Sequence, residues 1–68
     1  MIAFKITGEY IELISLLKAT GIVETGGHAK AVVEAGLVLR NGEVETRKRA
    51  KINRGEEIQC GEEVIRVE

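Results

Sequence analysis

The dipeptide Asn41-Gly42 constrains the fold of this chain more than any other feature. A two-residue hairpin loop of this type needs positive φ at both positions. Asn tolerates that conformation, Gly adopts it freely, and the resulting twist suits two antiparallel strands. Leu37–Arg40 precedes the dipeptide and Glu43–Thr46 follows it, so a β-hairpin is predicted there. Gly36 stands directly before the hairpin, where a helix-ending residue belongs. Any fold must therefore deliver a helix straight into this hairpin. The chain has no proline, so its other turns rest on eight glycines and on Asn.

Hydrophobic periodicity fills in the rest. Met1–Thr7 alternates Ile2, Phe4 and Ile6 with Ala3, Lys5 and Thr7, the period of a strand. Glu9–Ala19 reads as a helix capped by Thr7 or Gly8, with Tyr10, Leu13, Ile14 and Leu17 on its apolar face and Gly21 ending it. After a crossover at Ile22 and Val23, Thr25 is the expected N-cap of a second helix, Gly26–Ala35, which buries Ala29, Val32 and Val33. Two glycines in its first turn weaken it by roughly 1 kcal/mol each relative to Ala. Beyond the hairpin, Ala50–Asn53 is read as extended, Arg54-Gly55 as a turn, and Glu57–Cys60 and Val64–Val67 as the last strands. The order β-α-α-β-β-β-β implies an α+β fold, two helices packed on a small, bent, mostly antiparallel sheet.

Length and composition narrow the function. Sixty-eight residues make one domain, 1–68, with a modest core supported by 44% hydrophobic residues. The lone Cys60 excludes an intramolecular disulfide and fits a reducing, cytoplasmic setting. It reads as a small strand residue. There is no basic-then-apolar leader and no long apolar run, so neither a secretory signal nor a membrane span is expected. Every acid is Glu, and Ser15, His28 and Cys60 are single examples of their types. A catalytic triad, an acid–base pair or a multi-ligand metal site has too few residues to draw on, and no cofactor or small-molecule substrate is called for.

Charge is distributed unevenly. Arg40, Arg47, Lys48, Arg49, Lys51 and Arg54 against Glu43 and Glu45 give residues 40–54 a charge of 6 − 2 = +4. The remainder carries 4 − 9 = −5. Such a patch suits a polyanion. In an extended segment Arg47, Arg49 and Lys51 share one face about 6–7 Å apart, with Lys48 on the other. That row can bridge neighbouring phosphates, with Arg40 and Asn41 joining it from the hairpin. Charge alone equally fits a solvated face or a sheet edge protected from aggregation. It also fits an acidic protein partner and, more distantly, a nuclear localisation signal. A second candidate is the helix start at Gly26, Gly27 and His28, supported by Lys30, where free N–H groups attract phosphate. Its glycines suit close helix packing just as well, and His28 alone reads as a surface residue. Phe4 reads as core and Tyr10 as core or edge. With so few aromatics, base stacking is limited and the target is expected to be structured or double-helical RNA. The glutamates, including Glu56 and Glu57, are expected to be solvated.

Several motifs together resemble the S4 RNA-binding domain. They are I-x-L-I-x-L-L from Ile11, the small-residue helix start, Gly36-Leu37-Val38-Leu39-Arg40-Asn41-Gly42 against G-x-V-x-V-N-G, and Gly55-Glu56-Glu57-Ile58 against G-D-x-I. The stretch Glu45–Ile52, E-T-R-K-R-x-K-I, is similar to small free-standing bacterial members in which the domain is nearly the whole protein. The resemblance implies the two-helix αL motif with its hairpin. It also implies non-catalytic binding of structured RNA, with ribosomal RNA or an assembly intermediate as a target. On that reading Lys30, Arg40, Asn41, Arg47, Lys48, Arg49 and Lys51 serve the contact. The chain departs from the pattern at Thr25-Gly26, where many members carry Ser-Arg, at Arg40, where an apolar residue is usual, and at the Asp position, filled by Glu56 or Glu57.

Overall fold

The computed structural model describes residues 1–68, which form nine elements. In chain order these are β1 (Ile2–Phe4), β2 (Tyr10–Glu12), α1 (Leu13–Ala19), α2 (Gly26–Glu34), β3 (Val38–Arg40), β4 (Glu43–Val44), β5 (Lys51–Asn53), β6 (Glu57–Cys60) and β7 (Glu63–Val67). Five strands make one sheet in the order β1-β7-β6-β3-β4, while β2 and β5 form a separate ribbon. The α+β class and the two helices are as the sequence implies. The single sheet and the element order are not: an extra strand, β2, stands where the first helix was expected to begin.

The reason lies in competition for the backbone of residues 10–12. They pair antiparallel with β5, in the register Tyr10↔Asn53, Ile11↔Ile52 and Glu12↔Lys51. This ladder places Ile52 in the core. Helix α1 therefore starts at Leu13, and neither Thr7 nor Gly8 caps it. Its N-cap, Glu12, makes no side-chain capping bond. Instead the Leu13 N–H donates to the Ala50 carbonyl at 2.9 Å and the Ile14 N–H to the Lys48 carbonyl at 3.1 Å. Backbone from the basic segment thus satisfies donors that a helix start leaves free. The buried face is Leu13, Leu16 and Leu17, the i, i+3, i+4 stripe of a core-facing helix. Tyr10 lies outside the helix and is exposed.

Helix α2 follows the sequence closely. The Thr25 hydroxyl accepts the His28 N–H at 3.1 Å, the expected N-cap bond. The helix ends at Glu34 with Ala35 as its cap. Gly36, at φ 77°, donates to the Val33 carbonyl, and Leu37 donates to that of Val32. This paired Schellman closure sends the chain directly into β3. The hairpin forms at Asn41 (φ 51°) and Gly42 (φ 88°), joining Arg40 to Glu43. Strand β4 stops at Val44 rather than Thr46, because Glu45 turns inward and is buried.

The remaining strands close the sheet. β6 pairs antiparallel with β3 and β7. β7 pairs in parallel with β1, joining Ile2 to Ile65 and Phe4 to Val67. Val38, Ile58, Ile65 and Val67 belong to one buried cluster with Leu13, Leu16, Leu17, Ala29 and Val33. Phe4 is half-buried against it. No helix is long and apolar enough to cross a membrane. Leu16 is wholly enclosed in this cluster, so Leu16→Ala is expected to lower the unfolding free energy by about 3 kcal/mol, measured by urea denaturation.

Candidate nucleic-acid interface

The basic segment is not the extended strand its alternation suggested. Residues 45–50 form no strand, and the Ala50 N–H turns back to the Arg47 carbonyl at 3.1 Å. The segment leaves β4, caps α1 and then enters β5, and a straight run cannot meet all three demands. The side chains converge nonetheless. Arg40, Arg47, Arg49, Ala50 and Lys51 line one shallow concavity of about 460 Å³. Lys48 is half-buried and is not part of that lining. Lys30 and the Gly26–His28 helix start also lie outside it.

Arg40 is the hub of this region. Its Nε donates to Glu56 Oε1 at 2.8 Å and its Nη2 to Glu56 Oε2 at 2.9 Å, a forked pair. Its Nη1 donates to Glu45 Oε1 at 3.1 Å, and Nη2 also reaches the Lys51 carbonyl at 2.8 Å. One guanidinium thereby joins β3 to β5, to the inward-turned Glu45 and to the turn before β6. Glu56 collects further donors: the Asn41 amide at 3.1 Å and the Asn53 backbone N–H at 2.7 Å. Asn41 completes the bracket by accepting the Glu57 N–H on Oδ1 at 2.9 Å.

Two expectations are corrected here. Glu45 and Glu56 are not solvated charges: their side chains are only 10% and 18% exposed. Nor is every basic residue free. Arg47 donates to Glu45 through Nε at 3.0 Å, Nη2 at 3.1 Å and its backbone N–H at 3.2 Å, while its side chain stays 73% exposed. Hydrogen bonds from Arg47, with help from Arg40, hold the Glu45 carboxyl at a pKa of about 2. The Arg40 fork, joined by the Asn53 N–H, holds Glu56 at about 2 as well. No buried side-chain polar atom is left without a partner.

The quartet Arg40, Arg47, Glu45 and Glu56 is neutral, 2 − 2 = 0. Lys48, Arg49, Lys51 and Arg54 make no ion pair with a carboxylate. Arg54 donates to the Ile6 carbonyl at 2.9 Å and so anchors the chain after β1. The Lys51 ammonium stands 5.0 Å from the centre of the Tyr10 ring, a cation–π contact across the β2–β5 ribbon. At the α2 start, a Cβ on Gly26 or Gly27 would meet only Lys18 Cδ or Thr25 Oγ1, each at 4.0 Å. Close packing therefore does not require these glycines. Cys60 is a free thiol whose pKa burial pushes up, so it is a poor thiolate source.

Two helices delivering a hairpin, with a basic loop fastened at the first helix's start, define an α+β domain with one cationic concavity beside its hairpin. The S4 domain family model matches residues 4–68, and the chain belongs to that family. Two curated relatives are each 45% identical over 49 residues, covering 72% of this chain and 70% of their own length. One is YbcJ of Escherichia coli (strain K12), named as a candidate RNA-binding protein; the other is YbcJ of Shigella flexneri. The solution structure of E. coli YbcJ, described as revealing an αL motif involved in RNA binding, superposes with a TM-score of 0.76 at 37% identity. The match covers 98% of this chain and 86% of that one. Arg40, one of this chain's departures from the S4 pattern, is bonded to Glu56, one of the two glutamates found where the pattern has Asp.

Arg40→Met removes the only charged partner of Glu56, while Glu45 keeps its Arg47 bonds, so it is expected to lower stability at pH 7 by about 2 kcal/mol in urea titrations. Acid should act through the same groups. Both glutamates have folded pKa values of about 2, depressed from 4.5. Their contribution is then complete above about pH 4.5 and is lost as pH falls through about 2. Glu45→Gln should flatten that acid limb of the stability–pH curve, followed by circular dichroism.

Proposed function

We propose that this chain is a non-catalytic, cytoplasmic RNA-binding protein, a single S4-type unit over residues 1–68. It takes structured or double-helical RNA at the concavity beside its hairpin. The observation that carries this reading is the convergence of Arg40, Arg47, Arg49 and Lys51 on one open concavity. The name of the E. coli relative and the description of its solution structure support the same reading. The S4 resemblance makes ribosomal RNA, or an assembly intermediate containing it, the first target class.

The side chains divide the work. Arg49 and Lys51, free of carboxylate partners, make the primary phosphate contacts, with Lys48 flanking them. Arg47 holds Glu45 through Nε and Nη2, and Nη1 remains to reach a phosphate oxygen. Arg40 has one N–H left after four bonds. Its part, with Asn41, is chiefly to hold the hairpin against β5 and β6. Gly26, Gly27, His28 and Lys30 form a separate, lesser phosphate site at the start of α2.

Binding to a hairpin RNA across a salt series tests this. Three or four phosphate contacts predict a log–log slope of about −3. Arg47→Ala with Arg49→Ala should weaken binding and bring the slope toward about −1 to −2. An unchanged affinity and slope would rule out this site. Capture of an acidic protein that survives nuclease, with no RNA binding, would assign the patch to a protein partner. At the second site, Gly26→Ala with Gly27→Ala should stabilise α2 by up to about 1 kcal/mol per residue while reducing RNA affinity. Unchanged affinity would remove that site from the interface.

A further inference from the structure

We infer that the protein binds an unpaired nucleobase beside Tyr10, next to the phosphates held in the cationic concavity. This rests on the RNA reading and makes it more specific. The preferred target is then a helix interrupted by a bulge or ended by an overhang, rather than an unbroken duplex.

The first observation is that Tyr10 stands on the surface, with the Lys51 ammonium against its ring. It is 42% exposed. Its backbone is fixed by pairing with Asn53 in the β2–β5 ribbon, and its ring has the Lys51 ammonium over it. A fixed, exposed aromatic ring is the usual platform for a base, because every base has a π-face.

The second observation is a concavity distinct from the cationic one. It measures about 300 Å³, with Phe4, Ile6, Tyr10 and Ile11 as its apolar lining and Lys5 and Thr7 among its polar residues. That is at the small end of ligand clefts, which span roughly 300–1,000 Å³, and it suits one planar base rather than a groove-filling helix.

The third observation joins the two. Lys51 lines the cationic concavity, and its ammonium lies 5.0 Å from the Tyr10 ring centre. Tyr10 in turn lines the apolar concavity. The Lys51–Tyr10 pair is therefore the shared boundary between a site for anions and a site for an apolar plane. A nucleotide carries an anion and a planar base on one sugar, and it matches that juxtaposition. A purely aliphatic ligand would leave Lys51 without a counter-charge, and an uninterrupted duplex has no base to offer.

The chain has one Tyr and no Trp, so its intrinsic tyrosine emission reports on Tyr10 alone. The test compares two RNA hairpins with the same stem, one perfect and one carrying a single-nucleotide bulge. The bulged RNA is expected to bind about tenfold more tightly and to quench Tyr10 emission, which the perfect stem leaves largely unchanged. Tyr10→Ala should remove the preference and keep the affinity for the perfect stem, and Tyr10→Phe should retain the preference. Equal affinity for the two RNAs with no selective quenching overturns this inference and leaves the phosphate site standing. Failure of both RNAs to bind overturns the RNA reading as well.

Discussion

The contact on which the rest of this structure depends is the fork between Arg40 and Glu56. A strand residue in a small domain normally has one neighbour on each side and a core beneath it. Arg40 has in addition a carboxylate from the turn before β6, a second carboxylate from the loop after the hairpin and a carbonyl from the β2–β5 ribbon. A forked arginine–carboxylate pair fixes direction as well as distance. Here it sets the hairpin against the β2–β5 ribbon, which does not belong to the main sheet. Asn41 from the hairpin turn and Asn53 from the end of β5 add donors to the same carboxylate. Because the pair is largely shielded and multiply bonded, taking away one partner matters more than an exposed ion pair would suggest.

This contact also decides what the surface charge can do. A count of basic residues gives six between positions 40 and 54. The structure sorts them into a neutral quartet with two glutamates and a set with no carboxylate partner. The quartet is interlinked and locally neutral; the others carry charge without a carboxylate partner. Side chains of similar chemistry are thus either tied to carboxylates or left without one, and Arg40 and Arg47 of the first set share one concavity with Arg49 and Lys51 of the second.

Much of this was legible in the sequence. Asn41-Gly42 gave the hairpin, Gly36 the helix stop before it, and Thr25 the cap of α2, because each is a local rule with a backbone cause. The resemblance located the family. Three features escaped for one physical reason: they depend on partners far along the chain. Residues 10–12 look helical by periodicity, and only pairing with residues 51–53 turns them into strand. Arg47–Lys51 alternate like a strand, but the need to cap α1 bends them. Glu56 reads as a solvated turn residue until Arg40 is brought beside it. A charged residue at an apolar position of the pattern was the available signal, since a half-buried arginine requires a carboxylate. Tyr10 was legible only as core or edge. Its exposure and its cation neighbour follow from the β2–β5 register.

The capping of α1 by the carbonyls of Lys48 and Ala50 has a consequence for how the molecule comes into being. The helix is short, seven residues, and isolated helices of that length do not persist in water. Its first turn gains its partners from residues synthesised much later. While the chain is being made from its N-terminus, α1 waits uncapped until the basic loop has emerged and folded back. Completing the helix start requires closing a chain loop of more than thirty residues, so its hydrogen bonding depends on topology as well as on local propensity. The loop that carries the basic side chains is therefore also the piece that completes the first helix, and the cationic concavity cannot be finished before its scaffold is.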